Sequence, residues 1–175
     1  PFHQQLNDLL DAPGNGGIAA PRGHAKTTQA SIVYTAWLCV YKKEHFIMLG
    51  SETYTLAVMN VNALKFELEQ NEALIEVYGE QVTDHWKDGE FVTKLDVMVM
   101  AISYQGKIRG IKHKQYRPSL ILLDDMENDK NVRSADQRQF MREWISKAVL
   151  PALAKNGRVK VIGTILHSDS ILSNI

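Results

Sequence analysis

The chain has 175 residues, of which 45% are hydrophobic and 23% are charged, and its 20 Lys and Arg residues are balanced by 20 Asp and Glu residues. This length is enough for one domain with a sizeable core, and the zero net charge excludes a chain-wide positive field that would hold nucleic acid. The single cysteine, Cys39, excludes an intramolecular disulfide, and no apolar run approaches the length of a membrane span.

The first half of the sequence alternates between helical and strand-like patterns. In chain order it predicts a helix over 2–11, a turn over 11–17, a strand over 17–20, a helix over 27–41, a strand over 46–50 and a long helix reaching about residue 78. Ser51 or Thr53 would cap the long helix, and Gly79 would end it. Four apolar residues at helical spacing predict its core-facing stripe: Leu56, Met59, Ala63 and Phe66.

The second half adds strand-like segments of two kinds. The stretches 90–92, 97–103 and 108–111 predict an antiparallel hairpin, whereas 119–123 and 158–162 are apolar runs typical of buried parallel strands. A helix capped by Ser134 separates the last two. Alternating strands and helices predict an α/β fold, with a mostly parallel sheet, helices on both of its faces and the hairpin added to it.

The loop between the first strand and the following helix has the features of a nucleotide-phosphate loop, in which Lys26 reaches the β- and γ-phosphates and the Thr27 hydroxyl holds Mg²⁺. Backbone N–H groups at the helix start would surround the phosphates. Ala20 and Ala25 stand where the usual motif has glycines, so we expect φ to be negative at both. An ordinary strand-to-helix turn is the alternative. The predicted binding residues are Pro21, Arg22, Gly23, His24, Ala25, Lys26, Thr27 and Thr28.

Two later strands end in residues that suit the same chemistry. Asp124 and Asp125 follow a buried apolar run, and carboxylates at a strand's carboxyl end lie where open α/β sheets bind ligands. Asp124 would support Mg²⁺, and Asp125 would lie near the γ-phosphate. Thr164 follows the last strand, and its hydroxyl would contact the γ-phosphate or a water. The order of these three strand ends predicts a nucleotide-hydrolysing domain with a P-loop NTPase fold.

With these motifs in place, the sequence resembles the ATPase domain of the large terminase subunit of tailed bacteriophages, the motor that pumps viral DNA into the procapsid. The similar segments extend over nearly the whole chain: 1–5, 20–27, 108–110, 117–118, 120–125 and 162–167. The resemblance implies ATP and Mg²⁺ as cofactors, and ATP hydrolysis that drives double-stranded DNA. It also implies a portal protein and a small terminase subunit as partners, and a homo-oligomeric ring.

The resemblance further implies where in the host cell the protein is found and how its domains are organised. The protein is expected in the host cytoplasm, transiently at the portal vertex of the procapsid, and not in a membrane. We expect residues 1–175 to be a single ATPase domain from the N-terminal part of a longer protein, with no nuclease activity of its own. Two alternatives stay open at this point: another nucleic-acid motor such as a helicase, and a nucleotide-binding module without turnover.

The family's site residues map onto particular positions. Gln4 or Gln5, in the segment that begins at Pro1, would read adenine through an amide, with a surface glutamine as the alternative. Many family members have Asp-Glu where this chain has Asp124 and Asp125, so Asp125 is our choice for orienting the attacking water.

Three further residues have weaker assignments, each with an alternative. Glu127 is the rival of Asp125 for orienting water. Arg22 would stabilise transition-state charge, or else pair with a neighbouring acid. Arg109 would reach a neighbouring subunit's site, or else be a solvated hairpin residue. It belongs to a basic cluster that is a candidate DNA contact: Lys107, Arg109, Lys112, His113, Lys114 and Arg117.

Overall fold

A seven-stranded sheet organises the computed structural model, which describes residues 2–129 and 131–173. The strands are β1 (Gly16–Ala19), β2 (Phe46–Ser51), β3 (Trp86–Lys87), β4 (Glu90–Val92), β5 (Met98–Ser103), β6 (Leu120–Asp124) and β7 (Arg158–Gly163). Their spatial order is β1-β7-β6-β2-β5-β4-β3. Five neighbouring strands are parallel to one another: β1, β7, β6, β2 and β5. Strand β4 pairs antiparallel with both β5 and β3. The predicted mostly parallel sheet with an antiparallel part is confirmed.

One predicted strand is wrong. Residues 108–111 form a turn and extended coil instead of a strand of the hairpin, and Gly110 has φ +79° within that turn. The physical reason is that β5, which the hairpin would pair with, already pairs with β2 on one side and β4 on the other, so β5 has no free edge for a further strand. Buried Ile108 anchors the connection against the sheet instead.

Helices cover both faces of the sheet, as predicted. They are α1 (Phe2–Asp11), a π-helical segment (Thr28–Tyr34), α2 (Thr35–Val40), α3 (Tyr54–Gln70), α4 (Glu72–Tyr78), α5 (Ala135–Trp144), a second π-helical segment (Ile145–Val149) and α6 (Leu150–Ala152). The first three α-helices pack on one face around Leu49 and Leu122. On the other face α5 packs around Ile121 and Leu123. Within the described ranges, no helix is long and apolar enough to cross a membrane.

The predicted helix from residue 27 to 41 forms over almost that range, but its middle is π-helical. Lys26 and Thr27 are already helical, the π-helical segment follows at once, and α2 ends at Val40. The buried Thr35 hydroxyl donates to Ala30 O at 3.0 Å and so satisfies a carbonyl group within the π-helical segment. The chain therefore carries an irregular helical segment that begins at the last residue of the phosphate loop (residues 20–28).

The apolar stripe predicted for the long helix is wrong. Leu56, Met59 and Phe66 are exposed, and the buried residues of α3 are Ala57, Val61, Leu64 and Leu68. Both sets have helical spacing and differ by about one residue, so periodicity alone does not choose between them. The long helix is also divided at Asn71, whose side chain caps α4. Thr53 is the cap of α3, and Gly79, with φ +76°, follows α4 as predicted.

Candidate active site

Three parallel strand ends bring the predicted motifs together at one edge of the sheet. Ala20 N donates to Gly163 O at 2.9 Å, and Asp125 N donates to Ile162 O at 2.9 Å. The Thr164 hydroxyl donates to Ala20 O at 3.1 Å. The phosphate loop after β1, the carboxylates after β6 and the threonine after β7 are thus joined by hydrogen bonds, because these strands are neighbours in the order β1-β7-β6.

Lys26 and Asp125 form an ion pair at the centre of this edge. The Lys26 ammonium lies 3.0 Å from Asp125 Oδ2, and the lysine side chain is only 8% exposed whereas that of Asp125 is 48% exposed. An ammonium group this deeply buried needs an anionic partner, because its lost hydration is costly. Asp125 supplies that charge, and a phosphate oxygen at the same loop would be an alternative partner of the same sign.

The backbone conformation of Asp125 explains how two consecutive carboxylates both contact the phosphate loop. On a regular strand, Asp124 and Asp125 would point to opposite faces of the sheet. Asp125 instead has φ +44°, a left-handed conformation that aspartate tolerates better than most residues. As a result Asp125 contacts Lys26 while Asp124 forms a side-chain hydrogen bond with Thr27.

Asp124 has the features of a cation ligand. The residue is 3% exposed, and its Oδ1 has no hydrogen-bond partner in the described part of the chain. A buried carboxylate oxygen beside a hydroxyl group fits a hard cation such as Mg²⁺, which prefers oxygen ligands. No cluster of three or more His, Cys, Asp or Glu ligands occurs within residues 2–129 and 131–173. Asp124 and Thr27 would therefore hold Mg²⁺ only together with water or phosphate oxygens, as is common for this ion.

We expect Asp124 to make the stability of the chain depend on pH. Burial raises its pKa from 3.8 to about 6, although the Thr27 hydrogen bond opposes the shift. Because the folded chain binds this proton more tightly than the unfolded chain, stability rises as pH falls toward and below 6. Between pH 7 and pH 5 the gain should be about 1 kcal/mol in the free energy of unfolding.

Urea unfolding of the chain and of Asp124→Asn at pH 7, 6 and 5, without Mg²⁺ or nucleotide, measures this contribution. The free energy of unfolding of the unaltered chain should rise by that amount relative to that of Asp124→Asn between pH 7 and pH 5, since the amide does not titrate. An identical pH dependence for both proteins would contradict the assignment.

The phosphate loop contains one residue whose conformation differs from the expectation. Gly23 has φ +80° and Ala25 has φ +52°, so the negative φ expected at Ala25 is wrong; Ala20 does not have a positive φ. The loop must turn from β1 into a helix within a few residues, and Ala25, the residue just before the helix, does so in the left-handed region. Ala25 thus occupies a backbone conformation that favours glycine.

Replacing Ala25 with glycine is expected to stabilise the chain. The left-handed conformation costs a residue with a side chain roughly 1–2 kcal/mol, part of which is offset by the extra freedom of glycine in the unfolded chain. We expect a gain of about 0.5–1 kcal/mol in the free energy of unfolding, measured by urea titration. Ala20→Gly is the matched control: it removes a buried methyl group without relieving a positive φ, and should destabilise the chain. A loss of stability in Ala25→Gly would contradict the strain.

The first residues of helix α1 contact the phosphate loop. His3 Nε2 lies 3.1 Å from His24 O, and the rings of Phe2 and His24 meet edge to face with centroids 5.3 Å apart. The His24 ring also bonds Arg22 O through Nδ1 at 3.0 Å. The start of α1 is therefore attached to the loop, as a nucleotide-site segment would require.

The two glutamines predicted to read adenine have different surroundings. Gln4 donates to Asp8 Oδ1 at 3.0 Å and lines a cleft of ≈ 350 Å³ together with Asn7, Gln29 and Trp37. Gln5 is exposed on α1. Pro1, the first residue of the predicted adenine segment, lies outside the described residues. Of the two, Gln4 is the one that lines a cavity beside the loop's helix.

The two arginine candidates lie at the surface. Arg22 is 3.6 Å from Asp129, and both side chains are about two-thirds exposed (67% and 68%), so the surface ion pair considered as its alternative is present. Arg109 is exposed on the turn before Gly110. Within the described part of the chain, no hydrogen bond or ion pair joins Arg109 to the phosphate loop. Its predicted action on a neighbouring subunit is not tested by these contacts.

The basic cluster is partly neutralised. Lys114 lies 2.7 Å and His113 3.0 Å from Asp96 Oδ1, and these two hydrogen bonds lower the pKa of Asp96. Arg117 donates to Pro151 O at 3.2 Å. Lys107 and Arg109 stay exposed. The charge left for a nucleic-acid backbone is thus smaller than the sequence run indicates.

Two glutamates near the edge complete the description. Glu127, the rival of Asp125, accepts the Ile171 N–H with both carboxylate oxygens, and burial raises its pKa.

Glu52 was not considered from the sequence. It directly follows β2, whose pairing of Gly50 with Leu123 brings Glu52 to the same edge, and it accepts a hydrogen bond from Asn128. A carboxylate directly after a buried strand was the signal that could have identified it.

No protein-family model and no curated protein matches the chain. Solved structures do match it. The large terminase from a thermophilic bacteriophage, in complex with ADP, is 12% identical with a TM-score of 0.56, and the match covers 92% of this chain and 37% of that one. The bacteriophage Phi-29 viral genome packaging motor assembly is 12% identical with a TM-score of 0.53, over 94% of this chain and 47% of that one. The chain shares its fold with viral packaging motors.

The predicted resemblance to large terminases is therefore confirmed at the level of the fold. A second crystal form of the same thermophilic phage's large terminase gives the same picture, with 14% identity and a TM-score of 0.56. The chain spans less than half the length of each of these matched structures. At this identity the similarity extends to the arrangement of strands and helices, and the P-loop NTPase fold expected from the sequence is the one observed.

Proposed function

We propose that the chain is an ATPase domain that hydrolyses Mg·ATP to move double-stranded DNA in a viral packaging motor. The observation that carries the proposal is the edge where the phosphate loop, the Lys26–Asp125 ion pair and buried Asp124 meet. Structural neighbours described as a large terminase bound to ADP and as a genome packaging motor support it.

The proposed chemistry requires positioning and charge stabilisation more than covalent steps. Lys26 exchanges its partner Asp125 for the β- and γ-phosphate oxygens, and the backbone of residues 23–25 lines the phosphates. Asp124 and Thr27 would hold Mg²⁺, and the bound ion would supply positive charge to the phosphate oxygens. Asp125, released from Lys26, orients the attacking water. The Thr164 hydroxyl, which donates to Ala20 O in the structure, exchanges this bond for one to the γ-phosphate.

The partners belong to the same proposal. Portal protein, small terminase subunit and a ring of identical chains at the portal vertex are inferred from the fold's similarity to packaging motors. In such a ring, exposed Arg109 would supply its guanidinium to a neighbouring chain's nucleotide, and Arg22 would serve the nucleotide of its own loop. Gln4 would read the adenine from the cleft beside the loop.

Phosphate release from ATP, measured with and without Mg²⁺ and double-stranded DNA, tests the proposed function. We expect Mg²⁺-dependent turnover that DNA accelerates without strand separation. Unwinding of a duplex would instead favour a helicase. Nucleotide binding without phosphate release would favour a binding module, and the absence of nucleotide binding would overturn the proposal.

A further inference from the structure

The segment after Thr164 is clamped to α5 by one carboxylate. Asp169 Oδ2 lies 2.9 Å from Arg138 Nε, and Asp169 Oδ1 lies 3.1 Å from Arg142 Nη1. Arg138 is only 10% exposed and also donates to Val132 O at 2.7 Å. Two charge-assisted hydrogen bonds from two guanidinium groups hold this carboxylate more firmly than a single surface ion pair does. We call this contact the Asp169 clamp.

Glu127 makes a second attachment to the same segment. Its Oε1 and Oε2 are each 3.1 Å from Ile171 N, so the carboxylate accepts the first N–H of the helical turn Ile171–Ser173. Glu127 is half-buried, and buried Ile171 packs in the core on the α5 face of the sheet. Both oxygens of Glu127 are thus used to hold backbone.

The turn held in this way packs against the candidate active site. A Cβ added to Gly163 would lie 3.2 Å from Leu172 Cδ1 and 3.3 Å from Asp125 Oδ1, so both side chains lie beside Gly163 with little room for a larger residue. A cavity of only ≈ 10 Å³ lies among Asp125, Glu127, Gly163, Thr164 and Leu172. This is about the space of a single water, so the turn cannot shift far without changing the surroundings of Asp125.

We propose that Glu127 is a positioning residue, which holds the turn Ile171–Ser173 against Gly163 and thereby fixes Asp125 and Thr164 for ATP hydrolysis. The inference rests on the proposed function and assigns Glu127 a role other than orienting the water. Its task is to accept an N–H, and the carbonyl oxygen of a glutamine can do the same. A group that orients or deprotonates water needs the charge, and glutamine does not replace it.

Comparison of Glu127→Gln with Glu127→Ala separates the two roles. We expect kcat of Glu127→Gln to stay within about threefold of the unaltered chain. Glu127→Ala should lower kcat by about tenfold or more with a smaller change in KM for ATP, because misplacement of reacting groups is costly. Hydrogen exchange at Ile171 should accelerate in Glu127→Ala and not in Glu127→Gln. Asp169→Asn, which weakens the Asp169 clamp at a partly exposed site, should accelerate exchange over 165–173 and lower kcat in the same direction.

The outcomes distinguish this inference from the function on which it rests. A loss of about 10² or more in Glu127→Gln, equal to the loss in Glu127→Ala, would identify Glu127 as the water-orienting carboxylate and overturn the inference. Unchanged kcat in both Glu127→Ala and Asp169→Asn would overturn it too. If Glu127→Ala does not fold, Asp169→Asn carries the test. If the unaltered chain hydrolyses no ATP, the proposed function fails, whereas unprotected Ile171 in the unaltered chain refutes the attachment itself.

Discussion

Lys26→Ala is expected to abolish ATP hydrolysis and to remove most of the affinity for nucleotide. Lys26 is a buried cation in the phosphate loop. Its ammonium group lies 3.0 Å from the Asp125 carboxylate, which a phosphate would replace. Without it, Asp125 would place an unpaired negative charge where the phosphates bind, so the substitution both removes an attraction and leaves a repulsion. We expect turnover below the detection limit of a phosphate-release assay.

The fold should survive this substitution. Asp125 is about half-exposed, so water can solvate its carboxylate once the ammonium is gone. Lys155→Ala is the matched control, because Lys155 is exposed in the loop before β7. It should leave binding and turnover unchanged. Turnover of Lys26→Ala near that of the unaltered chain, with circular dichroism showing both folded, would refute the assignment of the phosphate loop.

Asp125→Asn should reduce turnover by about 10² or more while leaving nucleotide affinity equal or higher, the scale of loss typical of a group that orients or deprotonates water. Asparagine tolerates the left-handed φ of +44° at this position, so the backbone is retained. The expected affinity follows from competition, because Asp125 and the phosphates of the proposed substrate would share Lys26. Removing the charge of Asp125 makes the ammonium more available to ATP.

Titration of a fluorescent nucleotide together with single-turnover phosphate release separates binding from chemistry in Asp125→Asn. Glu52→Gln is the control, since Glu52 follows the neighbouring strand at the same edge and bonds Asn128 instead of Lys26. It should keep most of the turnover. If Glu52→Gln were the inactive variant and Asp125→Asn the active one, the water-orienting carboxylate would be Glu52.

Elements with strong local signals were predictable from sequence. Apolar runs bounded by turn residues indicate strands, and the residues just after them, Asp124, Asp125 and Thr164, do meet at one edge because parallel neighbours end on the same side. The cap at Thr53 and the stop at Gly79 follow from side-chain chemistry and φ alone. The roles of these site residues stay predictions, since no contact with nucleotide has tested them.

The failures have physical causes that sequence patterns do not contain. The helix α3 is apolar on more than one side, so contact with β2 and β5, and not periodicity, decides that Leu64 is buried and Phe66 exposed. The segment 108–111 has strand-like residues, but β5, its partner in the predicted hairpin, already pairs with β2 and β4. The hydrogen bond from Ile171 to Glu127 links residues 44 positions apart. Only the fold reveals that the Glu127 carboxylate accepts this backbone N–H.

The π-helical segment Thr28–Tyr34 has a consequence for how the chain tolerates change. An α-helix turns by about 100° per residue, and a π-helical stretch accommodates one residue more than the α-helical path would need. Lys26 and Thr27 before it lie at the candidate active site, where they contact Asp125 and Asp124, while Leu38 and Cys39 after it are buried in the core. The extra residue keeps these two alignments in phase with each other. Deleting one residue from this stretch would convert it to an ordinary α-helix. Either Lys26 and Thr27 or Leu38 and Cys39 would then rotate away from their present positions, so the π-helical segment sets how the site residues are oriented relative to the core residues.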